Sequence, residues 1–182
     1  MKKETILLIV VTLVVGGLVG MIVTNSQRGS QTESPPVSTA PAVDYQKKIG
    51  MLQEVVANEP ANRGAWVQLG HSYFDSGQSM EAIAAYDKAL ELDGNDPNVL
   101  TDQGIMFRRV GWFDKAIENF KRANSLNPTH QQSLFNLGIV YRDDLQDIEK
   151  AKEAWNRYLV IAPAGEGAER VKAMLEHLEN DH

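Results

Sequence analysis

Few residues in this chain can do covalent or metal chemistry. There are four histidines, His71, His130, His177 and His182, and no cysteine. Without cysteine there is no disulfide framework, thiolate metal site, nucleophilic thiol or point of lipid attachment. No two histidines show the H-x-x-x-H spacing that puts two zinc ligands on one helix face. His71 lies within a helical apolar pattern and reads as a packed or solvated residue, not as a catalyst or ligand. Asp143, Asp144, Asp147 and Glu149 form a carboxylate run. It lacks the glycine and alternating ligands of an EF-hand loop, so a solvated loop accounts for it better than calcium does. No G-x-S-x-G, phosphate-binding loop or pair of catalytic carboxylates occurs. The sequence therefore predicts a protein that is not an enzyme, with no cofactor and no metal. What remains is recognition. The guanidinium forks of Arg108, Arg109 and Arg142 can grip a carboxylate with two hydrogen bonds, and Phe74, Ile105, Phe135 and Ile139 can supply apolar anchors.

The elements that must carry these residues follow from a self-match at an offset of 34. Trp66, Leu69, Gly70 and Tyr73 are followed by Leu100, Gln103, Gly104 and Phe107, then by Leu134, Leu137, Gly138 and Tyr141. The second half of each unit repeats as well, with Ala82, Tyr86 and Ala89 becoming Ala116, Phe120 and Ala123, then Ala151, Trp155 and Tyr158. Each set has the spacing of one helix face, so each unit is a pair of amphipathic helices. The glycines let the paired helix approach closely, and the aromatic rings fill the space beyond. Asn62 and Asp96 are placed to cap helix starts, Pro97 suits a first turn, and Thr129 with Gln132 has the form of a capping box. Gly77 and Gly111 mark turns inside the first two units.

The pattern W-x-x-L-G-x-x-Y, then A-x-x-x-Y and A, resembles the tetratricopeptide (TPR) repeat family over about residues 63–163. The resemblance implies an all-α helical-hairpin solenoid. Its units run over 63–96, 97–130 and 131–164, with capping helices at 44–62 and 165–182. Three departures stand out: Gln103 at a leucine position, Gly94 where Pro128 and Pro163 close the later units, and one extra residue in the third unit with Leu145 replacing the turn glycine. The flanking stretches Asp44 to Asn58 and Glu166 to Glu179 carry apolar faces of their own. They are expected to cover the ends of the array, which would otherwise expose an unstacked apolar side.

Ahead of the repeats, Thr5 to Gln27 holds no charged residue, and Thr5 to Val23 is almost wholly aliphatic. Nineteen residues of helix span roughly 29 Å, close to the bilayer's hydrocarbon thickness. Residues 1–24 are accordingly expected to form a single uncleaved transmembrane anchor, longer than the apolar core of a cleaved signal, with cleavage near Ser26 as the alternative. Lys2 and Lys3 precede it and only Arg28 follows closely, so the positive-inside rule keeps the N-terminus in the cytoplasm. The repeats would then face outward from a bacterial cytoplasmic membrane, into the periplasm where there are two membranes. Gly16 and Gly20 form a small-xxx-small pair through which two anchors can make a homodimer; glycines that merely face lipid fit the same pair. Residues 25–43, rich in Ser, Thr, Pro, Gln and Ala, read as a disordered linker.

Residues 44–182 carry 15 Lys and Arg against 22 Asp and Glu, a net of −7, which argues against a nucleic-acid partner. In TPR arrays the first helices line a concave groove where partners bind. The stripe beside the core stripe reads Val67, His71 and Phe74, then Thr101, Ile105 and Arg108, then Phe135, Ile139 and Arg142, with Arg109 alongside. It predicts a greasy groove with a cationic rim, suited to a protein or peptide client with apolar anchors and an acidic group or terminal carboxylate. The Lys and Asn clamp of chaperone-binding TPR domains is missing, since Val67, His71, Asn98 and Thr101 hold the corresponding places. A single anchor followed by a small TPR domain resembles the accessory subunits of bacterial cytochrome c maturation. Secretion, pilus and cell-wall assemblies share that layout, and a self-oligomerisation module is the alternative class.

Overall fold

The computed structural model describes residues 44–180. The expected membrane anchor, the linker and the Gly16/Gly20 pair lie outside them. Among the described residues no helix is long and apolar enough to cross a membrane.

Helix α1 spans Tyr45–Asn58. The first unit pairs α2, Arg63–Asp75, with α3, Ser79–Leu92. The second pairs α4, Pro97–Arg109, with α5, Phe113–Leu126. In the third, α6, Gln131–Ile139, continues as a π-helical turn over Val140–Asp144 and pairs with α7, Ile148–Ile161. Helix α8, Glu166–Asn180, follows. Each helix packs chiefly on its neighbours in sequence, and the described residues include no strand. This is the solenoid that the 34-residue offset predicts.

The caps explain where the helices begin. Asp44 accepts the Lys47 amide at 3.0 Å and Asn62 the Ala65 amide at 3.0 Å. Asp96 accepts the amides of Asn98 and Val99 ahead of Pro97. Each such cap contributes about 1 kcal/mol. The capping box expected at Thr129 and Gln132 does not form. Asn127 accepts from both the amide and the hydroxyl of Thr129, so the cap moves on to His130, whose Nδ1 accepts the Ser133 amide at 3.3 Å.

One continuous core runs through the units. Tyr86, Phe120 and Trp155 are fully buried, each lying across the glycine of its own first helix. A methyl group added at Gly70 or Gly138 would run into the Tyr86 or Trp155 ring. Gln103, at a leucine position, is 2% exposed and works as a bridge. Its Nε2 donates to Asp87 at 2.7 Å, and its Oε1 accepts from Asn119 at 2.7 Å, so it ties α3 to α5. Gly94, in place of the closing proline, leaves room for Arg122, which donates to its carbonyl at 2.7 Å.

The extra residue of the third unit is absorbed by the π-helical turn. Gly77 and Gly111 turn in the left-handed region at φ 77° and 79°. In the third unit that conformation belongs to Gln146 at φ 57°, not to Leu145, because the wider turn carries the chain one residue further before it reverses.

Candidate functional site

The inner surface is formed by α2, α4 and α6, which touch one another from unit to unit. Val67, Phe74, Ile105, Phe135 and Ile139 are half-buried on it, packed against the core. Thr101 is a correction. It is 1% exposed, and its hydroxyl donates to the Pro97 carbonyl at 2.7 Å, one helical turn back. A side chain so covered offers nothing to a partner, and the helix rotation that half-exposes Ile105 is what buries Thr101.

The cationic rim is not free either. Arg108 pairs with Asp144, and with Asp143 at 3.5 Å. Arg142 pairs with Asp143 and lies 5.0 Å from the centre of the Trp155 ring. Arg109 stacks 4.6 Å above Phe74 and donates to its carbonyl. Of the four carboxylates read as a solvated loop, Asp143 and Asp144 sit in the π-helical turn and pair with the rim, while Asp147 caps α7 and Glu149 lies in its first turn. The pairing of Asp143 and Asp144 with Arg108 spans 35 and 36 residues, a little more than one repeat.

His71 is not isolated. Its Nε2 lies 3.1 Å from Oδ2 of Asp102 on the next unit, and its ring meets the Tyr86 ring edge-on at 5.7 Å. The hydrogen bond to Asp102 raises its pKa above the ordinary 6.5, outweighing the opposing effect of burial, with help from Asp75 one turn on. His130 moves the other way, since burial lowers its pKa, and its Nε2 contacts Asn98 at 3.1 Å. The Tyr86 hydroxyl is buried without a partner, and its pKa is pushed up by burial and by the negative charges of Asp102 and Asp75. The pairing of His71 with Asp102 and the unpartnered Tyr86 hydroxyl were missed in sequence, which gave Asp102 no role.

The third unit differs. The Phe135 ring packs edge-on to Tyr158 at 6.3 Å and lies 5.2 Å beneath the Arg170 guanidinium of α8. Arg142 faces a cleft shared with Met174, His177 and Leu178 of the same helix. The open part of the surface therefore runs along the first two units, over Val67, His71, Phe74, Asp102 and Ile105. Among the described residues no group of three or more His, Cys, Asp or Glu can hold a metal ion.

Three family models, each described as a tetratricopeptide repeat, match residues 64–96, 99–130 and 132–164, together more than half of the chain. The chain belongs to the TPR family. Human Superkiller complex protein 3 is 28% identical over 120 residues, which is 65% of this chain and 7% of that protein. The Photosystem I assembly protein Ycf3 of Parasynechococcus marenigrum (strain WH8102) is 29% identical over 112 residues, 53% of this chain and 65% of that one. The chain spans 7% to 12% of the length of the first three curated relatives it matches. Among solved structures, the TPR array superposes on MamA with a TM-score of 0.65 at 24% identity, covering 75% of this chain and 84% of MamA. At that identity the match speaks for the fold. TPR arrays bind protein partners.

Proposed function

We propose that this chain is a membrane-tethered adaptor. It holds a segment of a client protein against the inner surface of its first two units and acts by binding, not by catalysis. The observation that carries this reading is the half-buried row Val67, Phe74 and Ile105, which leaves apolar area uncovered beside the His71–Asp102 pair. Burying such a row against a partner returns roughly 25 cal/mol for each Å² removed from water. Because Arg108, Arg109 and Arg142 are already engaged, the client's anchors are apolar, and a client carboxylate gains affinity only by displacing Asp143 or Asp144.

The proposed tether is the uncharged stretch Thr5 to Val23, and Lys2 and Lys3 ahead of it support an orientation with the repeats outside a bacterial cytoplasmic membrane. Envelope-complex assembly is the activity that suits this layout, and cytochrome c maturation is the assembly to test first. A photoreactive residue at Ile105 in living cells is expected to capture a discrete client. The same probe at Val160, which is 84% exposed on α7, is expected to capture none. Equal capture at both positions would sink the adaptor reading. Loss of haem-stained cytochromes in a deletion strain would identify the assembly, and their retention would reassign it to the pathway of the captured client.

A further inference from the structure

On the open stretch of the inner surface the arginines are engaged, while the acids keep oxygens to spare. Arg108 pairs with Asp144. Arg109 lies over the Phe74 ring and donates to the Phe74 carbonyl at 3.4 Å. Asp102 meets only His71, through Oδ2 at 3.1 Å, so its Oδ1 has no partner among the described residues, and its side chain is 31% exposed. Asp75 is exposed, and its carboxylate has no hydrogen bond or ion pair among the described residues. It is the last residue of α2, where the helix dipole already places partial negative charge. The carboxylate and the helix end therefore add to one another instead of cancelling.

Two groups at the surface respond to that charge. The hydrogen bond to Asp102 is the main reason that the His71 pKa is raised, and the charges of Asp102 and Asp75 raise it further. Burial is the main reason that the Tyr86 pKa is raised, and the same two carboxylates add to it. The Tyr86 side chain is fully buried, its ring meets His71 edge-on, and its hydroxyl has no partner among the described residues. Opposing them are Lys48 of α1, which acts on His71, and Arg109 of α4, which acts on Tyr86, and each is the weakest of the causes at its group. The charged surroundings of His71 are thus Lys48 on α1, Asp75 on its own helix, Tyr86 on α3, and Asp102 and Arg109 on α4. At both groups negative charge outweighs positive.

We propose, resting on the adaptor reading, that the client segment carries a lysine or arginine between its apolar anchors and seats that cation against Asp102 and Asp75. The apolar residues are placed for this, because Val67 and Phe74 stand one helical turn to either side of His71 along α2, and Ile105 one turn beyond Asp102 along α4. An acidic client would meet Asp75 and Asp102 with like charge, which reverses the expectation drawn from the arginines in the sequence. The client cation also competes with the proton on His71 for Asp102. Neutral His71 leaves Asp102 its full charge, whereas protonated His71 offsets it. Affinity therefore rises as pH passes upward through the His71 value, and the bound client lowers that value by the reciprocal effect.

The test presents the immobilised full-length protein, in mild detergent, with a library of acetylated, amidated peptides in which two leucines are fixed and the three positions between them are randomised. Among retained peptides, lysine and arginine are expected to be enriched several-fold over aspartate and glutamate. Asp75→Asn, at an exposed site outside any described hydrogen bond, is expected to lose part of that enrichment, and Asp75→Asn with Asp102→Asn to lose all of it while still retaining leucine peptides. The affinity of an enriched peptide is expected to rise several-fold from one pH unit below the NMR midpoint of His71 to one unit above. Enrichment of acidic residues, no charge preference, the same preference in the double variant, or an affinity indifferent to pH would each overturn the proposal. Retained peptides that are acidic or uncharged would leave the adaptor reading standing, whereas retention of no peptide would remove both.

Discussion

In the first two units Phe74 and Ile105 are half-buried on the inner surface, with Arg109 of the second unit over the Phe74 ring. One repeat on from the Thr101 position, Phe135 carries Tyr158 on one side and Arg170 over its face. The residues stand on the same kind of helix, Phe135 at the level of Val67 and Thr101, Ile105 one turn further along and Phe74 one turn beyond that. What separates them is the neighbour: Phe135 has α8 beside it, while Phe74 has the first helix of the next unit. A stripe of apolar residues is therefore a surface in one place and an interior in another, and repeat position alone does not say which.

The sharpest way to break this contrast is truncation on both sides of it. Phe135→Ala is expected to lower unfolding free energy by about 2 kcal/mol, below the 3–5 kcal/mol of a fully buried ring, with client capture retained. Phe74→Ala is expected to cost about 1 kcal/mol and to abolish capture. Denaturant titration and in-cell crosslinking read the two effects, and a loss of capture in Phe135→Ala alone would erase the contrast. Tyr86→Phe makes the first unit like the second, where Phe120 stands. Removing a buried hydroxyl without a partner is expected to raise stability by about 1 kcal/mol. Gln146→Gly gives the third unit the glycine of the other two, and relief of the left-handed backbone is expected to add about 0.5 kcal/mol. The smallest effect is electrostatic. His71 has its pKa raised in the folded state, so the stabilisation from Asp102 is complete below pH of about 6.5 and is lost as pH rises through the folded value. NMR titration should place His71 above His130, and Asp102→Asn should bring His71 down without moving the order of unfolding midpoints.

The helical pairs, their turns and most caps were legible because they follow from strong local periodicity: glycine under a ring, alanine facing it, aspartate before proline. The end helices were legible for the same reason. The candidate site was only half so. Thr101 and Ile105 share a stripe in projection, yet a small rotation buries one and uncovers the other. Arg108 looked available because its partners, Asp143 and Asp144, lie 35 and 36 residues away, and Arg109 because Phe74 lies 35 residues before it. His71 looked solitary because Asp102 approaches from the adjoining unit. Thr129 looked like a cap because Asn127, which takes its amide and hydroxyl, belongs to the preceding helix end. For Arg108 and His71 the missing information was which unit supplies the neighbour.

The widened turn at Val140–Asp144 bears on how such an array can change over generations. An inserted residue in an α-helix swings everything after it by about 100°, which would rotate the next hairpin's apolar side out to water. A single π-turn takes up the surplus locally, and α7 still presents Ala151, Trp155 and Tyr158 to the interior. Length variation of one residue is therefore survivable at the end of a first helix, and the slack it creates is where new charge, here Asp143 and Asp144, can be introduced without disturbing the stack.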